Sequence, residues 1–233
     1  MDNHRQVAID FFQNHSYLRH NQRRQEHLAS LGLDFAGASV LEVGAGIGDH
    51  TSFFLDRGCQ VVSTEPRAEN LAILRSRYPD LTVQPLDLDQ PDNCLDQTFD
   101  IVYCYGVLYH LSQPAAAIAF MAQHCRRLLL LETCVSFGEA ELINLCDEPA
   151  DAPTQSIVGQ GCRPTRSWVY HQLKLHFEFV YLPTTQPYHE QFPIDWTVPS
   201  TVSEYTRAIF IAARQKLDHR LLSEDIPDRQ FRH

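Results

Sequence analysis

Three glycines in five residues follow a short apolar stretch and form the most informative motif of the sequence. Val40 to Val43 is predicted to be a buried strand, and Gly44, Gly46 and Gly48 come directly after it. Glycine in such a loop lets a ligand approach the main chain closely and permits positive φ angles. Because open α/β sheets bind ligands at the carboxyl ends of their strands, the motif predicts a ligand site at this loop.

An acidic residue is placed where a nucleoside ligand would need it. Glu65 ends a second predicted strand roughly 20 positions after Gly44, where a carboxylate can accept hydrogen bonds from ribose hydroxyls. The fingerprint of nicotinamide dinucleotide sites would require glycine at position 49, which is Asp49. Negative charge there would repel a pyrophosphate at the helix N-terminus. The pattern therefore favours a nucleoside-like ligand without phosphates.

A histidine follows the fourth predicted strand, which runs from Phe99 to Cys104. His110 lies in the segment from Tyr105 to Leu111, at the same expected edge of the sheet as the glycine loop. Imidazole titrates near neutral pH, so His110 could remove a proton from a hydroxyl or an amine. The alternative interpretation is that His110 only caps the next helix or closes the pocket.

A parallel sheet is needed to bring these residues together. Segments typical of strands and helices alternate from residue 38 to residue 135 at spacings characteristic of βαβ units. We therefore expect an α/β fold with a Rossmann-like doubly wound sheet, mostly parallel, with an antiparallel last strand. N-terminal helices and a C-terminal lid-like insertion are expected to complete it.

The order of the motifs resembles one enzyme family. The run from Val40 to Gly48, then Glu65, Asp87 and the run from Phe99 to Val102 are similar to the motifs of class I S-adenosylmethionine-dependent methyltransferases. The segment around His110 resembles the L-x-H segment of small-molecule methyltransferases and of the tRNA wobble-uridine carboxymethyl transferases. The resemblance implies an enzyme whose cofactor is S-adenosyl-L-methionine.

The same resemblance implies a set of cofactor contacts. Gly44 and Gly46 would pass beneath the methionine part of the cofactor, and Glu65 would hold the ribose diol. Asp87 would face the adenine amino group, beside the backbone N–H of Leu88. The other cofactor-binding residues expected are Tyr17, which reaches over from the N-terminal helix, Glu42, Ala45, Pro66 and Tyr105.

The methyl acceptor is expected among the segments added to the common core. His110 is the candidate catalytic base, and the predicted substrate-binding residues are Tyr109, Arg163, Arg166, Trp168, His189 and Trp196. Arg163 and Arg166 could clamp a carboxylate or phosphate, and Trp168, Tyr188 and Trp196 could wall an aromatic or sugar acceptor. The alternatives are solvated arginines and aromatic residues that attach a lid to the body.

One domain is predicted, with four functional parts. They are an N-terminal helical cap (1–35), a cofactor-binding core (36–135), an acceptor-side insertion and lid (136–205) and the last strand (206–216).

Composition restricts the partners. The 233 residues carry 19 Lys and Arg against 29 Asp and Glu, a formal net charge of −10, which disfavours nucleic acid as the main partner. No apolar run reaches the ~18 residues of a membrane helix. The seven cysteines lack C-x-x-C spacing and are expected to be reduced thiols of a cytoplasmic protein. The twelve histidines show no metal-ligand spacing on a predicted helix, so no metal site is predicted.

The leading hypothesis is methyl transfer from S-adenosylmethionine to a small polar metabolite, at oxygen or nitrogen. An RNA-modifying methyltransferase is one alternative, and it would require a basic channel. A non-catalytic, cofactor-binding partner subunit of another methyltransferase is the other. The expected partner is a small-molecule methyl acceptor, and no membrane partner is expected. The oligomeric state is left open, and a homodimer is one of the alternatives.

Overall fold

The computed structural model describes residues 2–91, 95–199, 203 and 205–233. Six α-helices lie in these ranges: α1 (Asp2–Phe12), α2 (His15–Ser30), α3 (Thr51–Leu55), α4 (Ala68–Arg77), α5 (Pro114–Gln123) and α6 (Arg166–Lys174). The strands are β1 (Ser39–Val43), β2 (Gln60–Thr64), β3 (Thr82–Gln84), β4 (Phe99–Tyr105), β5 (Cys125–Cys134), β6 (Leu145–Asp147), β7 (Gln160–Cys162), β8 (Phe179–Pro183), β9 (Thr185–Gln186), β10 (Arg207–Ala213), β11 (Leu222–Ser223) and β12 (Phe231–Arg232).

Eight of these strands form the central sheet in the order β11-β8-β10-β5-β4-β1-β2-β3. The five strands from β5 to β3 run parallel, and β10 is antiparallel to both β5 and β8. The expected Rossmann-like, mostly parallel α/β sheet is therefore confirmed. The antiparallel strand expected to be the last one is β10, and the short strands β11 and β12 follow it. Because β10 runs against its neighbours, its first residue, Arg207, lies at the same edge as the carboxyl ends of the parallel strands.

The core lies on both faces of this sheet. Successive side chains of β5 alternate between the faces: Leu129 and Leu131 pack with α5 and α6, whereas Leu128 and Leu130 pack with α2 and α3. A strand buried on both faces must be apolar along its length. The charged residue that follows this run, Glu132, is thereby placed at the edge where the ligand site is expected.

The stretch from Pro183 to Pro199, a part of the insertion predicted as a lid (136–205), is attached to the body. Phe192 is fully buried, and Gln186 donates a side-chain hydrogen bond of 2.8 Å to Gln230 near the C-terminus. The imidazole of His27 in α2 lies 3.0 Å from the carbonyl oxygen of Thr185. The described part of the segment, 183–199, is therefore clamped between α2 and the C-terminal tail, and its middle borders the ligand cavity.

Candidate active site

A cavity of about 460 Å³ runs along the carboxyl edge of the sheet. Its wall includes the residues that follow four of the parallel strands: Gly44 after β1, Glu65 after β2, Asp87 after β3 and Gly106 after β4. The convergence follows directly from the parallel topology, since these strands all end at one edge.

The glycine loop is shaped by close contacts with its neighbours. Gly44 and Gly46 have φ angles of 64° and 57°, in the left-handed region that favours glycine. A Cβ atom on Gly46 would lie 2.9 Å from the ring of Phe12, the last residue of α1. The loop and the N-terminal helix therefore meet at a position where only a hydrogen atom fits, and α1 borders the cavity.

Glu65 lies in the cavity wall and joins two loops. Its carboxylate accepts hydrogen bonds from the backbone N–H groups of Gly46 at 3.0 Å and Arg67 at 3.1 Å, and from the Asn70 amide at 3.0 Å. Burial raises the pKa of Glu65, and these donors act against the shift. The carboxylate is held rigidly, and it retains lone pairs for a ligand hydroxyl.

Pro66, Asp87, Leu88 and Tyr105 also border the cavity. The segment after β3 is held by Asp89, whose carboxylate accepts the backbone N–H groups of Ser112 at 2.8 Å and Gln113 at 2.9 Å. The hydroxyl of Tyr105 is buried and has no hydrogen-bond partner among the described residues. Burial raises the pKa of Tyr105, so its hydroxyl stays protonated and can donate to a ligand.

Glu42 and Ala45, expected in the cofactor site, lie behind the main cavity instead. They border a small adjoining pocket of about 30 Å³, together with Tyr17, which borders both spaces. The Glu42 carboxylate accepts hydrogen bonds of 2.6 Å from the hydroxyls of Thr51 and Ser63, and burial raises its pKa to about 7. In this structure Glu42 fastens β1 to β2 and α3.

His110 is paired with a carboxylate that sequence reasoning missed. Its Nδ1 atom lies 2.6 Å from Glu148, which also accepts hydrogen bonds from the Ser156 N–H at 2.9 Å and from Arg163 at 3.0 Å. Burial raises the pKa of Glu148, but these bonds outweigh it and the net shift is downward. The ionised carboxylate requires a proton on Nδ1 of His110, which leaves the lone pair on Nε2.

The imidazole of His110 is neutral at neutral pH. Burial lowers its pKa below the ordinary value, although the Glu148 carboxylate acts in the opposite direction. The His110 side chain is 13% exposed and borders the cavity. A neutral ring with a free Nε2 lone pair is the form that a general base requires.

The hairpin of β6 and β7 positions Glu148. A Cβ atom on Gly161 would lie 2.5 Å from the carbonyl oxygen of Tyr109 and 2.8 Å from the Glu148 side chain. Glycine is therefore required for the close approach that joins this hairpin to the segment carrying His110. No local sequence pattern indicates this contact.

A buried cluster of charges lies on the opposite side of the cavity from Glu65. Glu132, at the end of β5, accepts hydrogen bonds from Arg24 of α2 at 2.9 Å and from Arg207 of β10 at 3.0 Å. The three side chains are 0%, 4% and 8% exposed, respectively. Arg207 also donates to the hydroxyl of Tyr109 at 3.1 Å, and both of these residues border the cavity. Sequence reasoning missed this cluster, although a charge directly after the leucine run of β5 is a usable signal.

Three of the six predicted acceptor residues border the cavity, namely Tyr109, Arg163 and His189. Arg166, Trp168 and Trp196 do not border it. Arg166 donates to the carbonyl of Pro227 at 2.8 Å and stacks 3.8 Å above the Trp196 ring. Trp168 lies on the buried face of α6 in the core, and Trp196 donates to Gln230 at 2.7 Å. These side chains fasten the C-terminal segment to the body, because α6, capped by Thr165, turns Arg166 and Trp168 inward.

Within the described ranges, no helix combines the length and the apolar character that crossing a bilayer demands. No three His, Cys, Asp or Glu side chains of these ranges cluster as a metal ion would require.

The fold and the cavity define an α/β protein with a nucleoside-type site at the sheet edge. Residues 15–172 match the family model of a methyltransferase domain, and the chain belongs to that family. The prediction of a class I, S-adenosylmethionine-dependent methyltransferase is thus confirmed at the level of family and fold.

Similar proteins agree with this assignment. The tRNA U34 carboxymethyltransferase of Dichelobacter nodosus (strain VCS1703A) is 31% identical over 149 residues, which cover 58% of this chain and 43% of that protein. The chain thus spans less than half the length of the curated relative it matches. The N-terminal domain of EvdMO1, crystallised in the presence of SAH and D-fucose, has a TM-score of 0.63 at 18% identity, with 82% of each chain covered. The SAH-bound magnesium protoporphyrin IX methyltransferase ChlM of Synechocystis PCC 6803 has a TM-score of 0.55 at 17% identity, covering 85% of this chain and 84% of that one.

Proposed function

We propose that this protein transfers a methyl group from S-adenosylmethionine to an oxygen, or a nitrogen, of a small polar metabolite, with His110 as the general base. The observation that carries the proposal is the His110–Glu148 pair on the wall of the cavity that Gly44 and Glu65 also border. Proton removal and cofactor binding can therefore occur in one enclosed space.

The residues of the cavity wall fit the cofactor. Glu65 would accept hydrogen bonds from the ribose diol, Asp87 would accept one from the adenine amino group, and the backbone of Leu88 would lie beside it. The hydroxyl of Tyr105, which is buried and has no partner in the described part of the chain, supports this fit, since a buried polar group needs a partner that a ligand can supply. When bound, S-adenosylmethionine supplies an electrophilic methyl group on a sulfonium centre.

The chain supplies orientation and proton removal. His110 would take the acceptor proton at Nε2, while Glu148 holds the ring in the required tautomer and stabilises the imidazolium that forms. Phe12 and Tyr17 pack edge-to-face at 5.3 Å over the glycine loop and restrict the access of water. Aligning the acceptor with the methyl group is worth as much as the base, or more.

The cavity supports a small acceptor. Its acceptor side is bordered by Tyr109, Arg163 and His189, and a volume of about 460 Å³ leaves limited room beside a bound cofactor. We propose a division into helical cap (1–35), core (36–135), acceptor-side insertion and lid (136–205) and the antiparallel strand of the central sheet (206–216). We also propose a cytoplasmic location, which is supported by the free thiols of the six described cysteines.

Methyl-donor binding tests the assignment most directly. We expect S-adenosylmethionine and S-adenosylhomocysteine, but not NAD, to bind in calorimetric titrations. Incubation with methyl-labelled donor and a metabolite extract should then transfer label to a small product. Binding of NAD in preference to the adenosyl ligands would contradict the proposal.

An RNA acceptor is the second candidate, because a curated relative is named as a tRNA U34 carboxymethyltransferase. The formal charge of −10 disfavours it, since RNA binding draws most of its affinity from phosphate contacts. We expect no tRNA binding at physiological salt. Tight binding that weakens steeply with salt would favour the RNA candidate over the metabolite.

The lid segment yields a further prediction. If it closes over bound ligands, S-adenosylhomocysteine together with the acceptor should slow amide exchange at 189–191, whose residues border the cavity. The exposed α4 residues Ala68 and Glu69 provide the internal control. Hydrogen-exchange mass spectrometry measures both regions, and equal exchange with and without ligands would remove the lid from the mechanism.

A further inference from the structure

The cavity has opposite charges at its two sides. Glu65, Asp87 and Asp89 border it where β2 and β3 end, whereas Arg163 and Arg207 border it near β5 and β10. On the acidic side, Arg67 donates to the carbonyl groups of residues 150, 155 and 156. The acidic side is suited to hydroxyl and amino groups, which are donors, and the other side is suited to acceptors.

The cationic side has one more positive charge than it has negative charges. Arg24 and Arg207 share the single carboxylate of Glu132, whereas Arg163 is paired with Glu148 and Arg19 is paired with Glu190. This count covers only the part of the chain that the structure describes. A buried charge without a partner is costly, so the surplus calls for an anion.

Arg207 places the excess positive charge at the cavity wall. Its other partners are the neutral side chains of Gln191 at 2.7 Å and Tyr109 at 3.1 Å. The guanidinium groups of Arg207 and Arg163 lie 4.8 and 5.1 Å from the centre of the same Tyr109 ring. Burial raises the pKa of Tyr109, so its phenol does not supply the missing negative charge.

Two buried imidazoles, those of His20 and His189, border the same side of the cavity. The Nε2 atoms of His20 and His189 have no hydrogen-bond partner among the described residues, and the two rings lie 4.8 Å apart. The nearest carboxylate oxygen of Glu190 is 3.6 Å from His189, beyond hydrogen-bond distance. Burial lowers the pKa of both histidines, that of His189 to about 4, so each ring is neutral and can donate one N–H to a ligand oxygen.

We infer that the methyl acceptor carries a carboxylate, which binds to Arg207 with His20 and His189 beside it. The inference rests on the proposed function and specifies its substrate class: a small acid bearing a hydroxyl or amino group. The carboxylate would offset the surplus charge of the cluster and hold the nucleophilic atom on the His110 side of the cavity.

The test uses small anions on the full-length protein saturated with S-adenosylhomocysteine. Formate and benzoate are titrated at constant ionic strength, with formamide and benzamide as neutral matches, and binding is followed by calorimetry and by the arginine Nε–H signals. We expect saturable binding of the acids, at least ~10-fold tighter than the amides, because charge-assisted hydrogen bonds are the stronger ones. Equal binding of acid and amide, or no saturable binding of either acid, would overturn the inference.

Variants locate the effect. Arg24 does not border the main cavity, so Arg24→Gln removes the surplus charge and leaves Arg207 in place. We expect it to weaken formate binding ~10-fold, whereas the surface variant Arg126→Gln, whose partner is Asp100, leaves binding unchanged. Unchanged formate affinity in folded Arg24→Gln would refute the charge argument, and the wild-type comparison of acid and amide stands should this variant not fold.

A final comparison shows whether the carboxylate site serves the acceptor or the amino-acid part of the cofactor. We expect formate to bind equally well with and without S-adenosylhomocysteine. If S-adenosylhomocysteine blocks formate but 5′-methylthioadenosine, which lacks the amino-acid part, does not, the carboxylate site belongs to the cofactor and the inference is overturned. Failure of S-adenosylhomocysteine itself to bind would instead contradict the proposed function.

Discussion

Replacing His110 with alanine should lower kcat at least ~100-fold and leave the affinity for S-adenosylhomocysteine nearly unchanged. General-base catalysis contributes about 10²–10⁴-fold, and His110 is the neutral imidazole on the wall of the cavity whose Nδ1 is bound to Glu148. The rate is measured with methyl-labelled donor and the acceptor found by the metabolite screen. His171→Ala is the matched control, because His171 is a half-exposed residue of α6 that pairs with Glu141.

The pH dependence distinguishes a base from a residue that only shapes the pocket. Because the pKa of His110 lies below its ordinary value, the wild-type rate should rise with pH on the acidic side and level off by neutrality. His110→Ala should lack this rise. Glu148→Gln should reduce kcat as well, because a neutral amide no longer favours the proton on Nδ1. An alanine variant that keeps both its rate and its acidic limb would show that alignment alone is sufficient.

Residues that end strands could be predicted from sequence because their neighbours in space are set by a repeating local pattern. Gly44, Glu65 and Asp87 each follow a parallel strand, so one assumption about the sheet brings them to one edge. The fold class followed from the same alternation. What these predictions require is only the order of strands along the chain and the common direction of those strands.

Residues whose partners are distant in sequence could not be predicted in this way. Glu148 meets His110 across 38 positions, and Arg24 meets Glu132 across 108. Such pairs depend on how the hairpin of β6 and β7 and helix α2 dock, which no short pattern specifies. The places of Trp168 and Trp196 could not be predicted for a related reason: an aromatic residue in an added segment suits a core and a ligand wall equally, and only the docking of that segment decides between them.

Replacing Glu65 with alanine should weaken binding of S-adenosylhomocysteine by roughly 1.5–3 kcal/mol, the range for hydrogen bonds to a charged group. The Glu65 carboxylate is fixed by Gly46, Arg67 and Asn70 and borders the cavity. Under the proposed function it would accept hydrogen bonds from both ribose hydroxyls. Calorimetry measures the dissociation constant. Glu69→Ala, an exposed substitution of the same kind in α4, should have no effect.

The loss could also arise indirectly, because Glu65 holds the backbone of Gly46. A 2′-deoxy analogue of S-adenosylhomocysteine separates the two routes through a double-mutant cycle. If Glu65 contacts the ribose, the wild type should bind the deoxy analogue more weakly than the parent ligand, and Glu65→Ala should barely distinguish the two. Additive losses would assign Glu65 to loop structure alone, and an unchanged dissociation constant in a folded variant would remove it from the cofactor site.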